Sequence, residues 1–477
     1  KESWSYRLVS GADLAAADPL AVRDAATLGD SGHVLLGANR IVRTGAGDID
    51  IATGGDLRMA ASTSVIYTAG VGNQPGDHAA VGPASQFNIA GGFTSARYPE
   101  NGGDLRIRVA GDVAGQGGDQ WVNNWLYRVG RVDENGLLET AATPSAMRRP
   151  AWWPQFSAFR GGVAALGGGD VTIEAGGSIR NLGVASATNG RLPGADGTAP
   201  DLANLKVQGG GDVVVRAGRD IESGSFHAGR GDIVIDARGD VGASRQTSDG
   251  ADINSLVSLG EGHARIVSGG GLALESVFNA TLAPQAAANA TDATKRTYFS
   301  TYRTDASIDL LAVGGDVRLA NAATIAANFG LGDVGDSAAT LTLYPGTLRA
   351  ATLVGDVRTD GRFSMVPAAR GQLELLAADS VRVGNRIVMS ALPESAVPSA
   401  AMPDADYTSH LKAITSADYF SRTAYGPTLL HAGDPEPVRI VAQTGDIAGP
   451  DTEIFLQLPK RFVMRAGGNL TGGWIGA

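Results

Sequence analysis

The stretch "GGGDVVVRAGRDIESGSFHAGRGDIVIDARGDVGAS" (209–244) constrains this chain more than any other feature. Asp212, Asp220, Asp232 and Asp240 hold one place in a small template: Gly-Gly-Asp, an alternation of apolar and variable residues, then Ala-Gly-x-Asp or Gly-Asp before another apolar residue. Further copies stand at 45–61, 102–115, 167–181 and 313–325, with weaker ones at 269–276, 378–390, 444–449 and 466–473. In "DVVVRA", Val213 and Val215 fall on one face and Val214 and Arg216 on the other, the period of two that a strand requires. Outward positions are often charged, as at Asp50, Arg58, Arg106, Arg108, Glu174 and Asp236. Glycine admits positive φ, and aspartate bonds backbone amides at a corner, so each copy reads as a short strand between tight bends.

The corner position recurs after eight residues within a copy, as from Asp48 to Asp56, and after 20 from Asp212 to Asp232. A unit that short cannot close its own core. Stacked on a neighbour, it buries its aliphatic side and satisfies its strand edges. The expectation is an all-β chain, one continuous β-solenoid over 1–477, with coils about 4.8 Å apart. Val213, Val215, Ile233 and Ile235 should then face inward in stacked rows, with Arg216 and Asp236 in solvent. A calcium-binding nonapeptide roll would need a tandem array, and "GLGDVGD" (330–336) is a single partial copy. A propeller or sandwich would show aromatic blade signatures, which are absent.

Composition supports thin, layered interiors. The chain has 477 residues, more than one ordinary core organises, and 43% of them are apolar while only 6% are aromatic. Its 67 glycines show no three-residue period, which excludes collagen. There is no cysteine, so disulfides, thiol catalysis and thiolate metal sites are excluded together. With 39 basic and 49 acidic side chains the net charge is −10, which argues against nucleic acid or an anionic membrane as partner. No run of about 18 apolar residues marks a membrane span, and no signal peptide is seen. The chain starts at Lys1 and stops within a template at "RAGGNLTGGWIGA" (465–477), which reads as a fragment that frays and self-associates at that end.

The "GGDVxIxAGxDI" style of repeat resembles the filamentous haemagglutinin family, the large two-partner-secretion exoproteins of Gram-negative bacteria. "RPAWWPQFSAFRGGVAALGGGDVTIEAGGSIRNL" (149–182), "GQLELLA" (371–377) and "HAGDPEPVRIVAQTGDI" (431–447) resemble a C-terminal region found in a subset of that family. The resemblance implies a right-handed parallel β-helix, export through a dedicated outer-membrane pore, and a secreted or surface-attached, adhesin-like rod. Its receptor would be a glycan or protein on a host or bacterial surface. The amino-terminal secretion domain that defines such exoproteins is missing from this sequence, so export belongs to the parent chain. A carbohydrate-active β-helix enzyme and the stalk of a contact-dependent toxin carrier are the alternatives.

Binding residues are expected where the repeat is interrupted. Residues 71–101 read as a long loop, and 183–205, 243–262 and 279–306 as excursions. The insertion at 116–166 brings Trp121, Trp125, Trp152 and Trp153 together with Arg128, Arg131, Arg148 and Arg149. Trp121, Trp125, Trp152, Trp153, Arg148 and Arg149 are the candidate binding residues, since sugars stack on indoles and bond to guanidinium groups. The plainer reading is that the tryptophans anchor the excursion to the solenoid flank. Residues 391–437 open with three prolines and then show helical spacing at 406–426, which suggests a short helix on the wall.

Other motifs have simple explanations. Arg230-Gly231-Asp232 and Arg238-Gly239-Asp240 spell an integrin tripeptide twice, but both fall on template corners that do not protrude. Asp212 and Asp232, one coil apart, mimic a glycosidase carboxylate pair only because the repeat is regular. "HAGDPEP" (431–437) places His431 near Asp434, and reads as a capped turn. Sequons stand at Asn279, Asn289 and Asn469. No catalytic residue, metal or cofactor is assigned, and turnover of common polysaccharides is not expected.

Overall fold

The computed structural model describes residues 3–72, 98–117, 120, 122–129, 151–191, 202–246, 250, 252–280, 302–320, 343–384, 386–391, 393–394, 430–449 and 454–476. Over these the protein is all-β, built on long parallel sheets. The first sheet has twelve strands in chain order: Tyr6–Ser10, Ile49–Thr53, Leu105–Val109, Val171–Ala175, Val213–Ala217, Ile233–Ala237, His263–Ser268, Ser307–Ala312, Thr347–Thr352, Leu373–Ala377, Val438–Ala442 and Phe462–Ala466. Eleven interstrand steps make it roughly 50 Å wide at the usual spacing.

After a corner, most repeats add a shorter strand to a second file, which includes Leu57–Met59, Val113–Ala114, Ile179–Arg180, Ile221–Glu222, Val241–Gly242 and Leu272–Phe278, then Val317–Leu319 and Val357–Thr359. A third file, also parallel, runs through Val65–Thr68, Gly162–Ala165, Gly183–Ser186, Ser225–Arg230 and Ser255–Glu261, and later through Arg362–Met365, Arg386–Met389 and Phe455–Gln457. Gly162–Ala165, Gly183–Ser186 and Ser255–Glu261 thus belong to the regular wall, although their sequence reads as part of the excursions. Their alternation is blurred because both faces are covered: all four positions of Gly162–Ala165 are buried.

Register explains the template. Val213 stands opposite Val171 and Ile233, and Val215 opposite Ile173 and Ile235, so the same inward positions form aliphatic rows. Val213, Val215, Ile233 and Ile235 are all 0% exposed, and each burial is worth roughly 1.5–3 kcal/mol. The outward positions pair ionically along the stack: Arg216 bonds Glu174 at 3.0 Å and approaches Asp236 at 3.7 Å, and Asp236 lies 4.0 Å from Arg265.

The corner aspartates do more than turn the chain. Each offers Oδ1 to the backbone amide of the equivalent residue one repeat on. In the first ladder Asp48 accepts from Asp104 (2.9 Å), Asp104 from Asp170 (3.0 Å), Asp170 from Asp212 (2.9 Å), Asp212 from Asp232 (2.8 Å) and Asp232 from His263 (2.9 Å). In the second, Asp56 accepts from Asp112, Asp112 from Ser178, Asp220 from Asp240, and Asp240 from Gly271, at 2.7–2.9 Å. The preceding glycine follows from this geometry. A Cβ at Gly111, Gly177 or Gly239 would collide with the Oδ1 of Asp56, Asp112 or Asp220 respectively.

Candidate binding site

The Trp/Arg insertion contributes two strands to a small antiparallel sheet. Leu126–Val129, Ala151–Pro154, Thr188–Arg191 and Lys206–Gly209 pair antiparallel in that order, with Tyr127 opposite Trp153. Gly190 lies under the Trp152 ring, where any side chain would clash, and Trp152 Nε1 donates to Thr188 Oγ1 at 3.3 Å. Trp125 meets Phe159 edge-on at 5.5 Å and His227 of the third file at 5.7 Å. Trp153 sits between the rings of Tyr98 (6.5 Å) and Tyr127 (6.2 Å), both edge-on.

These indoles are enclosed. Trp125 is 2%, Trp152 7% and Trp153 1% exposed, so none has a free face on which a sugar ring could stack. Trp125, Trp152 and Trp153 pack in and around the small sheet, and Trp125 meets the third file through His227. Trp121, Arg131, Arg148 and Arg149 lie outside the described residues, as do 406–426 with the expected helix, "GLGDVGD" and Asn289.

Within the small sheet and against Tyr98 lies a polar cluster that sequence reasoning did not single out. Tyr98 OH, Trp153 Nε1, Asn189 Oδ1 and Arg191 Nη1 are buried without a hydrogen-bond partner. Arg191 lies 4.9 Å over the Tyr98 ring, and Asn189 Nδ2 donates to the Pro99 carbonyl at 2.6 Å. Burial raises the Tyr98 phenol well above its usual range, against the pull of Arg191. Only the polar "TNGR" strand (188–191) hints at this in the sequence.

The other motifs resolve into architecture. In Arg230-Gly231-Asp232, Gly231 has φ 105°, Arg230 approaches Glu261 at 3.4 Å and Asp232 is a ladder member. In Arg238-Gly239-Asp240, the glycine covers the Asp220 carboxylate and Asp240 accepts from Gly271. His431 is buried with Nδ1 3.3 Å from the Ala369 carbonyl and Nε2 3.1 Å from that of Ser390. Its turn is closed by the Asp434 amide on the His431 carbonyl (3.0 Å) and the Glu436 amide on Asp434 Oδ1 (3.0 Å). Buried Lys460 donates to Asp434 at 2.6 Å, and to Gly371 O and Gln372 Oε1 at 2.9 Å each. Burial lowers the His431 pKa; burial would raise that of Asp434, but Lys460 holds it low. Asn279 is 1% exposed and bonded to the Leu259 carbonyl, so its sequon is not available, whereas Asn469 is exposed.

Among the described residues no cluster of three or more histidine or carboxylate groups could hold a metal, and no helix is long and apolar enough to cross a membrane. The class defined so far is an all-β protein of long parallel sheets with ladder-bonded corners. No protein-family model, no curated protein and no solved structure matches the chain.

Proposed function

We propose that this chain is a rod segment of a secreted or surface-displayed exoprotein similar to the filamentous haemagglutinin family, and that it serves attachment through its loops. Its fold would be a right-handed parallel β-helix, the hand that parallel crossover connections almost always take. The observation that carries the reading is the twelve-strand register with its two aspartate ladders, in which the most repeated polar residues are spent on stacking. A wall so regular supplies reach and stiffness, and leaves recognition to what projects from it. The parent chain would leave a Gram-negative cell through an outer-membrane pore and bind a surface glycan or protein.

The antiparallel pairing of Val129 with Ala151 makes a clean test, because 130–150 can be replaced by a short turn without touching either strand. The intact chain is expected to bind cells or immobilised surface glycans saturably, and the shortened chain to lose most of that binding while melting at the same temperature. An intact chain without saturable binding to any surface would sink the attachment reading.

A further inference from the structure

On the outside of the second file one position per repeat meets solvent. Glu222 stands beside Gly242, and Ala273 beside Arg318, which continues into Arg358 and Arg382; Val241 pairs with Leu272 between the two halves. Where the charged row gives way to Gly242 and Ala273 the wall is hollow. The recess measures about 490 Å³, within the range of small-molecule sites.

Its lining is unevenly satisfied. Arg318 and Arg358 both bond Asp360 at 2.7 Å, and Arg382 bonds Asp356 at 2.9 Å, so the three guanidinium groups have counter-charges. Asp240 and Asp316 each give Oδ1 to a backbone amide, of Gly271 and Asp356, and neither forms an ion pair among the described residues. Among the described residues the Asp252 carboxylate is met only by the neutral Gln246 side-chain amide at 2.9 Å. The lining includes Asn254, which is 5% exposed and directs Nδ2 at Oε2 of the fully buried Glu275, 3.5 Å away. With Nδ2 on the Glu275 side the Asn254 amide oxygen lies on the other, and among the described residues no group donates to it. This 95%-buried residue lines the recess, and its oxygen is not among the sealed, unsatisfied atoms.

The recess therefore offers spare acceptors and net negative charge, with arginine N–H donors at one end. A lone ammonium would leave most of the volume empty, whereas a hydroxylated ring answers both donors and acceptors. We propose that this recess binds an amino sugar: a saccharide ring carrying a primary ammonium toward Asp240, Asp252 and Asp316. The proposal goes beyond the attachment reading, since replacing 130–150 leaves the recess intact and either idea can fail alone.

Calorimetric titration of the whole chain tests it with three probes: the tetramer of glucosamine, its fully N-acetylated counterpart, and tetralysine. The glucosamine tetramer is expected to bind at one site, more weakly as salt rises, with the other two at least tenfold weaker. Ala273→Leu fills the recess from a half-buried outward position. Asp316→Asn removes charge but keeps an oxygen for the Asp356 amide. Each is expected to weaken glucosamine tetramer binding at least tenfold without moving the melting temperature, so a fold defect in one variant leaves the other decisive. No binding by the intact chain, unchanged binding in a folded variant, or tetralysine binding as tightly would each overturn the proposal; the last would assign the recess to a basic peptide.

Discussion

Ser178 is fully buried, and its amide has one acceptor, the Oδ1 of Asp112 at 2.8 Å. The Asp112 side chain is 41% exposed, so water can take over part of that bond once Asp112→Ala removes the acceptor, and the change is expected to cost about 0.5–1.5 kcal/mol in chemical denaturation. Asp112→Asn keeps an oxygen there and should recover most of the loss; equal damage from both would show that the ladder bond is not what the corner needs. A second effect of single residues is titration. His227 is buried with Nε2 unpartnered, and burial lowers its pKa to about 4. The unfolded imidazole binds a proton near pH 6.5, so between about 6.5 and 4 the unfolded state holds more protons. Stability from this group is complete above that window and is lost as pH falls through it, by on the order of 3 kcal/mol. His431 shifts in the same direction. Urea denaturation of His227→Leu at pH 7 and pH 4.5 is expected to show a smaller difference than the parent; an unchanged difference would rule out His227 as the source.

Within one strand the two faces have opposite tolerance. Val214 faces outward beside Thr172 and Val234, one residue from fully buried Val215. Val215→Asp puts an uncompensated carboxylate into the aliphatic row and is expected to cost several kcal/mol, while Val214→Thr should stay within about 0.5 kcal/mol. A tolerant position 215 in thermal melts would refute the inward register. The outward ion pairs matter less for stability. Glu174, Arg216 and Asp236 have side chains 37–50% exposed, and such pairs give roughly 0.2–1 kcal/mol at most. Their regular alternation helps fix which strand lies beside which, because like charges facing each other would be unfavourable.

In the first sheet each strand pairs only with the strands beside it in chain order, so protection should grade along the stack. Phe462 and Val463 of the last strand of the first sheet are 40% and 41% exposed, and Tyr6 of the first strand is 44% exposed. Hydrogen exchange is expected to be fastest in Tyr6–Ser10 and Phe462–Ala466 and slowest around Val213–Ala217 and Ile233–Ala237. Uniform protection from end to end would instead indicate a single all-or-none unit.

The strands, their inward rows and their glycine-aspartate corners were legible in the sequence, because a period of two and a positive-φ bend are local properties of a few consecutive residues. What each corner bonds to was not legible. Asp212 serves an amide 20 residues on, yet Asp104 serves one 66 residues on, because the Trp insertion lies between equivalent corners. For the same reason Gly162–Ala165 could not be told from the insertion around it, nor could buried Trp125, Trp152 and Trp153 be told from an exposed platform. The recess is more remote still from any motif: Gly242 and Ala273 are unremarkable until stacking sets them between Glu222 and Arg318, in a lining that also includes Asn254. Hydrogen bonds between repeats depend on register in space and not on separation along the chain. Sequence alone therefore determined the local unit, and the tertiary stacking decided which side chains share a surface.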